Sequence, residues 1–107
     1  MKYKIDAADR GLFYSRNDPK DRRLGELITR GKIEDVTEGT VAIIGVPEDR
    51  GITANKGRAG AAGGPDDIRR RLYRLTPGFS GDFHRLRIVD VGNVSTKELT
   101  LAEVHAA

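Results

Sequence analysis

An α/β fold with a parallel sheet is predicted for this chain of 107 residues, from three observations. Residues 40–46 and 86–94 are short apolar runs of strand length. Residues 65–75 between them carry the strongest helix signals in the chain. A strand, a helix and a strand in that order imply a right-handed crossover and an α/β sandwich.

Each element has its local reason. Residues 1–17 show no period and read as an N-terminal arm, anchored on the core by Phe13 and Tyr14. Residues 18–107 then read as helix, strand, glycine-rich loop, helix, strand and the start of a helix, in one domain. The first helix begins with Asp18 as N-cap, Pro19 at the first helical position and Asp21 three residues after the cap. Leu24, Leu27 and Ile28 follow at helical spacing, and Gly31 is its expected stop.

Residues 40–46, Thr-Val-Ala-Ile-Ile-Gly-Val, form a continuous apolar run, the pattern of a strand buried on both faces. Pro47 ends it. Residues 48–64 are a glycine-rich loop. In the helix at 65–75, Pro65 suits the first position, Asp66 and Asp67 the first turn, and Arg69, Arg70, Arg71 and Arg74 the far end, so the charges complement the helix dipole. The spacing predicts i,i+4 ion pairs from Asp66 to Arg70 and from Asp67 to Arg71. Ile68, Leu72 and Leu75 are the expected inward stripe, with the arginines on a solvated face or a subunit contact. After the strand at 86–94, Thr100-Leu101-Ala102-Glu103 is a capping box opening a helix with Val104 inward. The chain ends at Ala107, about two turns in, and the expectation is an element cut short.

Composition excludes several classes. No apolar run approaches the ~20 residues that span a bilayer, and Met1 to Asp6 lacks the apolar stretch of a signal peptide, so no membrane partner is expected. With no cysteine there is no disulfide or thiolate chemistry, and a cytoplasmic location is expected. The net charge of +3 is interleaved with acids, and only three Tyr and three Phe supply aromatic platforms, which argues against a nucleic-acid partner.

In open α/β sheets ligands bind beyond the carboxyl ends of strands, which directs attention to the loop after residue 46. A phosphate loop does not fit there. A Walker loop closes on Gly-Lys-Ser/Thr, whereas this one closes on Gly63-Gly64-Pro65-Asp66. Pro65 removes a backbone donor, and Asp66 and Asp67 put negative charge where a phosphate would sit. The glycines themselves read as positions of close backbone approach.

The ordered motifs Gly45-Val46-Pro47-Glu48-Asp49-Arg50-Gly51, Gly57-Arg58-Ala59-Gly60-Ala61, Gly64-Pro65-Asp66-Asp67-Ile68-Arg69 and Asp90-Val91-Gly92-Asn93-Val94 resemble the N-terminal portion of the arginase, agmatinase and formimidoylglutamase family. Residues 12–19, with Asp21, Arg23-Leu24-Gly25-Glu26 and Asn55-Lys56-Gly57-Arg58, resemble the formimidoylglutamase branch in particular.

The resemblance implies a three-layer α/β/α sandwich with a parallel sheet, only partly contained in this chain. It implies two manganese ions in the full-length family, whose bridging hydroxide attacks a guanidinium or formimidoyl carbon. It further implies a small amidine or guanidine amino-acid substrate, a place in histidine metabolism and an oligomer. The family's ligand motifs, Gly-Gly-x-His, Asp-x-His-x-Asp and Asp-x-Asp, do not occur here, so no metal is expected on this chain alone. His84 and His105 have no such partners and read as structural or surface histidines.

Asn55 and Arg58 are candidates for the substrate mouth, Arg58 by pairing a glutamate-like carboxylate. The simpler reading of Arg58 is a local link to Glu48 or Asp49. Gly45, Pro47, Gly51, Gly57, Gly60, Gly64, Pro65, Arg69, Asp90 and Gly92 are the fold-motif positions. Asp90 among valines is expected to cap a backbone donor. Two functional classes follow: a segment of a metal-dependent ureohydrolase, inactive by itself, or a non-catalytic α/β module that pairs with itself or with a full-length partner through an open strand edge.

Overall fold

The structure is a computed structural model and describes residues 4–48, 61–78 and 85–95. In chain order the elements are β1 (Ile5–Asp6), α1 (Leu24–Leu27), β2 (Thr29–Arg30), β3 (Thr40–Gly45), α2 (Gly64–Leu72) and β4 (Arg87–Val94). Single 3-10 turns lie at Arg10–Leu12, Ile33–Asp35 and Ala61–Gly63.

β4 is the hub of a four-stranded sheet. β3 runs parallel to it, from Thr40 opposite Arg87 to Gly45 opposite Asn93. β2 is also parallel, with Thr29 opposite Val89 and Arg30 opposite Asp90. β1 is antiparallel, with Ile5 opposite Val94 and Asp6 opposite Asn93. Val89, Asp90 and Asn93 pair with β3 as well, so β1 and β2 share the edge of β4 that β3 leaves free. The strand–helix–strand unit expected from the sequence is thus present, in a mixed α/β sheet.

The first seventeen residues do more than their lack of period suggested. Besides β1, Asp9 accepts from the Gly11 amide at 2.9 Å and caps the turn that buries Leu12. Phe13 and Tyr73 stack with ring centroids 5.0 Å apart. Tyr14 lies under the Arg74 guanidinium, 4.4 Å from its ring centre. Gly92 allows the close pass of β1: its φ is +98°, and a Cβ there would collide with the Asp6 carbonyl oxygen.

The helix expected from Asp18 is much shorter than its signals. Asp18 does cap, accepting from the Lys20 amide at 2.9 Å, but only a turn follows. Arg23 is extended, at φ −110° and ψ 161°, and α1 has four residues. Tertiary bonds replace a longer helix: the Leu24 and Gly25 amides donate to the carbonyls of Leu75 and Tyr73 at 2.8 and 3.0 Å. The Arg23 guanidinium also reaches the Arg74 carbonyl, at 2.6 Å. The inward residues were nonetheless right: Leu24 and Ile28 are buried, and Leu27 packs on them. Gly31 does not stop a helix but follows β2, donating to the Asp90 carbonyl at 3.0 Å.

Leu12, Leu24, Ile28, Tyr73 and Ile88 form the core between α2 and one face of the sheet. Full burial of a large apolar side chain contributes roughly 1.5–3 kcal/mol, which makes this cluster the main apolar anchor of the unit. The expectation of Ile68 and Leu75 inside is corrected: they are 65% and 56% exposed, and Leu72 is half-buried. The residues that face inward are Arg69 and Tyr73, both buried. β3 is not buried on both faces either; Val41 and Ile44 are about half exposed.

Candidate functional site

At the carboxyl ends of β3 and β4 the chain builds a sealed polar seam against the start of α2. It begins with Asp90, fully buried in the middle of β4. Strand alternation turns Ile88 and Asp90 towards α2 and Val89 and Val91 away from it. Arg69, one turn and a half into α2, meets the carboxylate as a fork: Nε donates to Oδ2 at 2.8 Å and Nη2 to Oδ1 at 2.9 Å. Tyr73, one turn further, donates its hydroxyl to Oδ2 at 2.5 Å. The Gly92 amide donates to Oδ1 at 2.9 Å. Asp90 therefore caps a backbone donor as expected, and it also balances a buried cation.

Arg69 spends its remaining donors on the strand ends. Nη2 reaches the Gly92 carbonyl at 2.9 Å. Nη1 reaches Asn93 Oδ1 at 2.6 Å and Asp66 Oδ1 at 3.2 Å. A guanidinium carries five N–H groups, and here all five have acceptors. Among the described residues no buried side-chain polar atom lacks a partner. Burial works to lower the pKa of Arg69, but the hydrogen bonds and charge of Asp90 prevail and raise it. The Tyr73 phenol is pushed up by its burial, then by accepting neighbours and charge at Asp90.

These facts correct the reading of the α2 arginines as a solvated face. Arg70 and Arg71 are exposed, but Arg69 is 2% exposed. The i,i+4 ion pairs are replaced by i,i+3 pairs, Asp66 to Arg69 and Asp67 to Arg70. The physical reason is Asp90: a buried carboxylate has to be paired, and Arg69 is the cation whose position on the helix faces it.

Several predicted positions converge here. Gly45 ends β3 against Asn93; a Cβ on it would collide with Asn93 Oδ1 and lie 2.7 Å from Pro65 Cβ. Gly64 opens α2, and Pro65 follows it in the first turn. Gly92 and Asp90 lie on β4. Pro47 lies two residues beyond the end of β3. Gly51, Asn55, Gly57, Arg58 and Gly60 lie outside the described residues, as do His84, His105 and the capping box at 100–103. Tyr73 is the seam member that no motif flagged. Its signal was spacing: Asp66, Arg69 and Tyr73 stand at i, i+3 and i+7, one helical face.

Asp90 has no lone pair left for other work, since it accepts four hydrogen bonds. It suits neither a general base nor a metal ligand. Among the described residues no group of three or more His, Cys, Asp or Glu is placed to hold a metal ion. The residues described here therefore do not fit a two-manganese centre. What the seam does is mechanical: it locks the N-terminal half of α2 to the carboxyl end of β4 and fixes where β3 stops.

Comparison with known proteins agrees with the motif order. The sequence model of the arginase family matches residues 39–107, the stretch that contains β3, α2 and β4. The chain belongs to the arginase family. Formimidoylglutamase of Salmonella typhi is 36% identical over 92 residues, covering 80% of this chain and 28% of that protein. The same-named protein of Klebsiella pneumoniae is 34% identical over 107 residues, covering 94% of this chain and 32% of that protein. That of Macrococcus caseolyticus is 41% identical over 64 residues, covering 60% of this chain and 19% of that protein. The chain thus spans about three tenths of the length of the first two, and it aligns with their N-terminal portion. No solved structure matches it. The seam lies inside the stretch that the family model matches, where α2 meets the carboxyl end of β4.

Proposed function

We propose that this chain is the N-terminal segment of a cytoplasmic, oligomeric ureohydrolase that hydrolyses formimidoyl-glutamate. Water adds to the formimidoyl carbon, the C–N bond to the glutamate nitrogen breaks, and glutamate and formamide leave. The observation that carries this reading is the similarity to formimidoylglutamases over 80–94% of the chain. Two manganese ions are the cofactor that the resemblance implies for the whole protein. The described residues do not fit them, so no step is assigned to them here. Asn55 and Arg58 are proposed to line the substrate mouth, Arg58 as the cation for a substrate carboxylate. The segment alone is proposed to be inactive, because the family's ligand motifs Gly-Gly-x-His, Asp-x-His-x-Asp and Asp-x-Asp do not occur in its sequence.

A chimera tests this. The matched stretch of the Salmonella typhi formimidoylglutamase is replaced by this chain, and formamide release from formimidoyl-glutamate is measured. The reading expects release by the chimera and none by the 107-residue chain, with or without manganese. A folded chimera without hydrolysis overturns the substrate assignment; turnover by the short chain overturns its inactivity.

A further inference from the structure

The stretch from Tyr14 to Glu26 takes no part in the seam. It packs instead on the far end of α2, where Leu24, Gly25 and Arg23 donate to the carbonyls of Leu75, Tyr73 and Arg74. Nine helical residues at 1.5 Å each put about 13 Å between the two ends of α2.

This far end is over-supplied with arginine. Arg16 and Arg23 share one carboxylate: Arg16 Nη1 donates to Asp21 Oδ2 at 2.9 Å, and Arg23 Nε and Nη2 donate to Oδ1 and Oδ2 at 3.1 and 3.0 Å. Glu26 is occupied by the Ser15 hydroxyl, the Arg16 amide and Arg22. That leaves Arg74 and, three residues before it, Arg71. Both are exposed, and among the described residues neither has a carboxylate partner.

Arg74 is nonetheless held in place. Arg23 Nη1 pins its carbonyl at 2.6 Å, and its guanidinium lies over the Tyr14 ring, 4.4 Å from the centre. A cation near a helix C-terminus complements the dipole without any such ring. A guanidinium stacked by its face keeps its N–H groups free in its plane, the fork that matches a carboxylate. Fixing the side chain beforehand lowers the cost of ordering it on binding. We infer that Arg74 on Tyr14, with Arg71 and Arg16 beside it, is the anchor of a docking surface for an acidic segment of a partner polypeptide. Several carboxylates on one chain can meet these exposed arginines together. Nucleic acid fits less well, because Arg74 already occupies the ring on which a base would stack. This surface does not depend on the substrate.

The test titrates fluorescein-labelled hexaglutamate with the 107-residue chain and reads anisotropy. Salt at about 0.1 M limits the response to charges within ~10 Å. Arg74→Gln should weaken binding at least about tenfold, and Arg74→Lys, which lacks the fork, should restore only part of it. Arg16→Gln should weaken it less. An unchanged denaturation midpoint shows that these exposed positions leave the fold intact. Lys4→Gln removes the same charge beside β1, at the seam end of the sheet, and should leave binding as it is. Absence of binding below about 1 mM overturns the inference. So does equal weakening by Lys4→Gln, which would mean attraction to net charge alone. Tighter binding of a thymidine hexanucleotide, or a chain that sediments as a dimer dispersed by Arg74→Gln, overturns it too, since the occupant would then be a nucleic acid or a second copy.

Discussion

The inner and outer sides of α2 solve opposite problems. On the inner side, towards β4, the contact is polar, closed and fully bonded: Asp90 is 0% exposed and Arg69 2%. On the outer side, towards the edge of β3, it is apolar and open, with Ile68 and Ile44 in solvent. An ordinary amphipathic helix would show the reverse. The inversion means that the start of the helix is docked by geometry and charge pairing, beside the apolar cluster at its far end, while apolar surface is left exposed on the outer side. A buried ion pair of this kind adds little net stability over a hydrophobic pair, but it admits few alternative arrangements. It sets the register of α2 on β4, with Arg69 opposite Asp90 and Gly92.

The largest expected effect comes from opening the seam. Asp90→Ala leaves the Arg69 guanidinium buried without its carboxylate, and a loss of about 3–5 kcal/mol is expected. Urea denaturation measures it; a loss under about 1 kcal/mol, typical of exposed hydrogen-bonded groups, means that water already reaches the pair.

Tyr73→Phe keeps the ring against Phe13 and deletes one donor to Asp90. A hydrogen bond to a charged group contributes roughly 1.5–3 kcal/mol, so the loss should fall in that range. The same variant has a pH signature. The folded pKa of Tyr73 is raised above its ordinary value of 10.0, by burial first and by Asp90 second. Its contribution is therefore whole below that pH and shrinks as the pH climbs above it, where the unfolded chain ionises and the fold resists. Wild type should lose stability above pH 10 more steeply than Tyr73→Phe; equal slopes would place the hydroxyl in water.

The smallest effect belongs to the outer side. Ile68→Lys alters a side chain that is 65% exposed, and the isolated chain should change by less than about 0.5 kcal/mol. A larger loss would mean that this side chain is already covered in the isolated chain.

How much of this could be read from sequence follows the same division. β3, α2 and β4 were legible because strand runs and helix caps are local signals. The order Gly45, Gly64-Pro65, Arg69, Asp90-Val91-Gly92 gave the family from sequence, and in the structure these residues lie in or beside the seam. The pairing of Arg69 with Asp90 was not legible, since 21 positions separate them and an arginine on a helix usually faces water. β1 and β2 were invisible because two-residue strands have no period; backbone pairing with β4 alone makes them. The helix from Asp18 was overestimated because good caps cannot compete with the tertiary bonds that the carbonyls of Tyr73 and Leu75 offer to Leu24 and Gly25.

Native-state hydrogen exchange of the 107-residue chain, read amide by amide across β4 and β3, tests the contrast most directly. The account predicts the slowest exchange in β4 from Val89 to Val94, next to the seam, and fast exchange for the β3 amides that point away from β4. Outward β3 amides as protected as those of β4 would contradict it, because the edge would then already be covered and the seam would not be the point that holds the unit together.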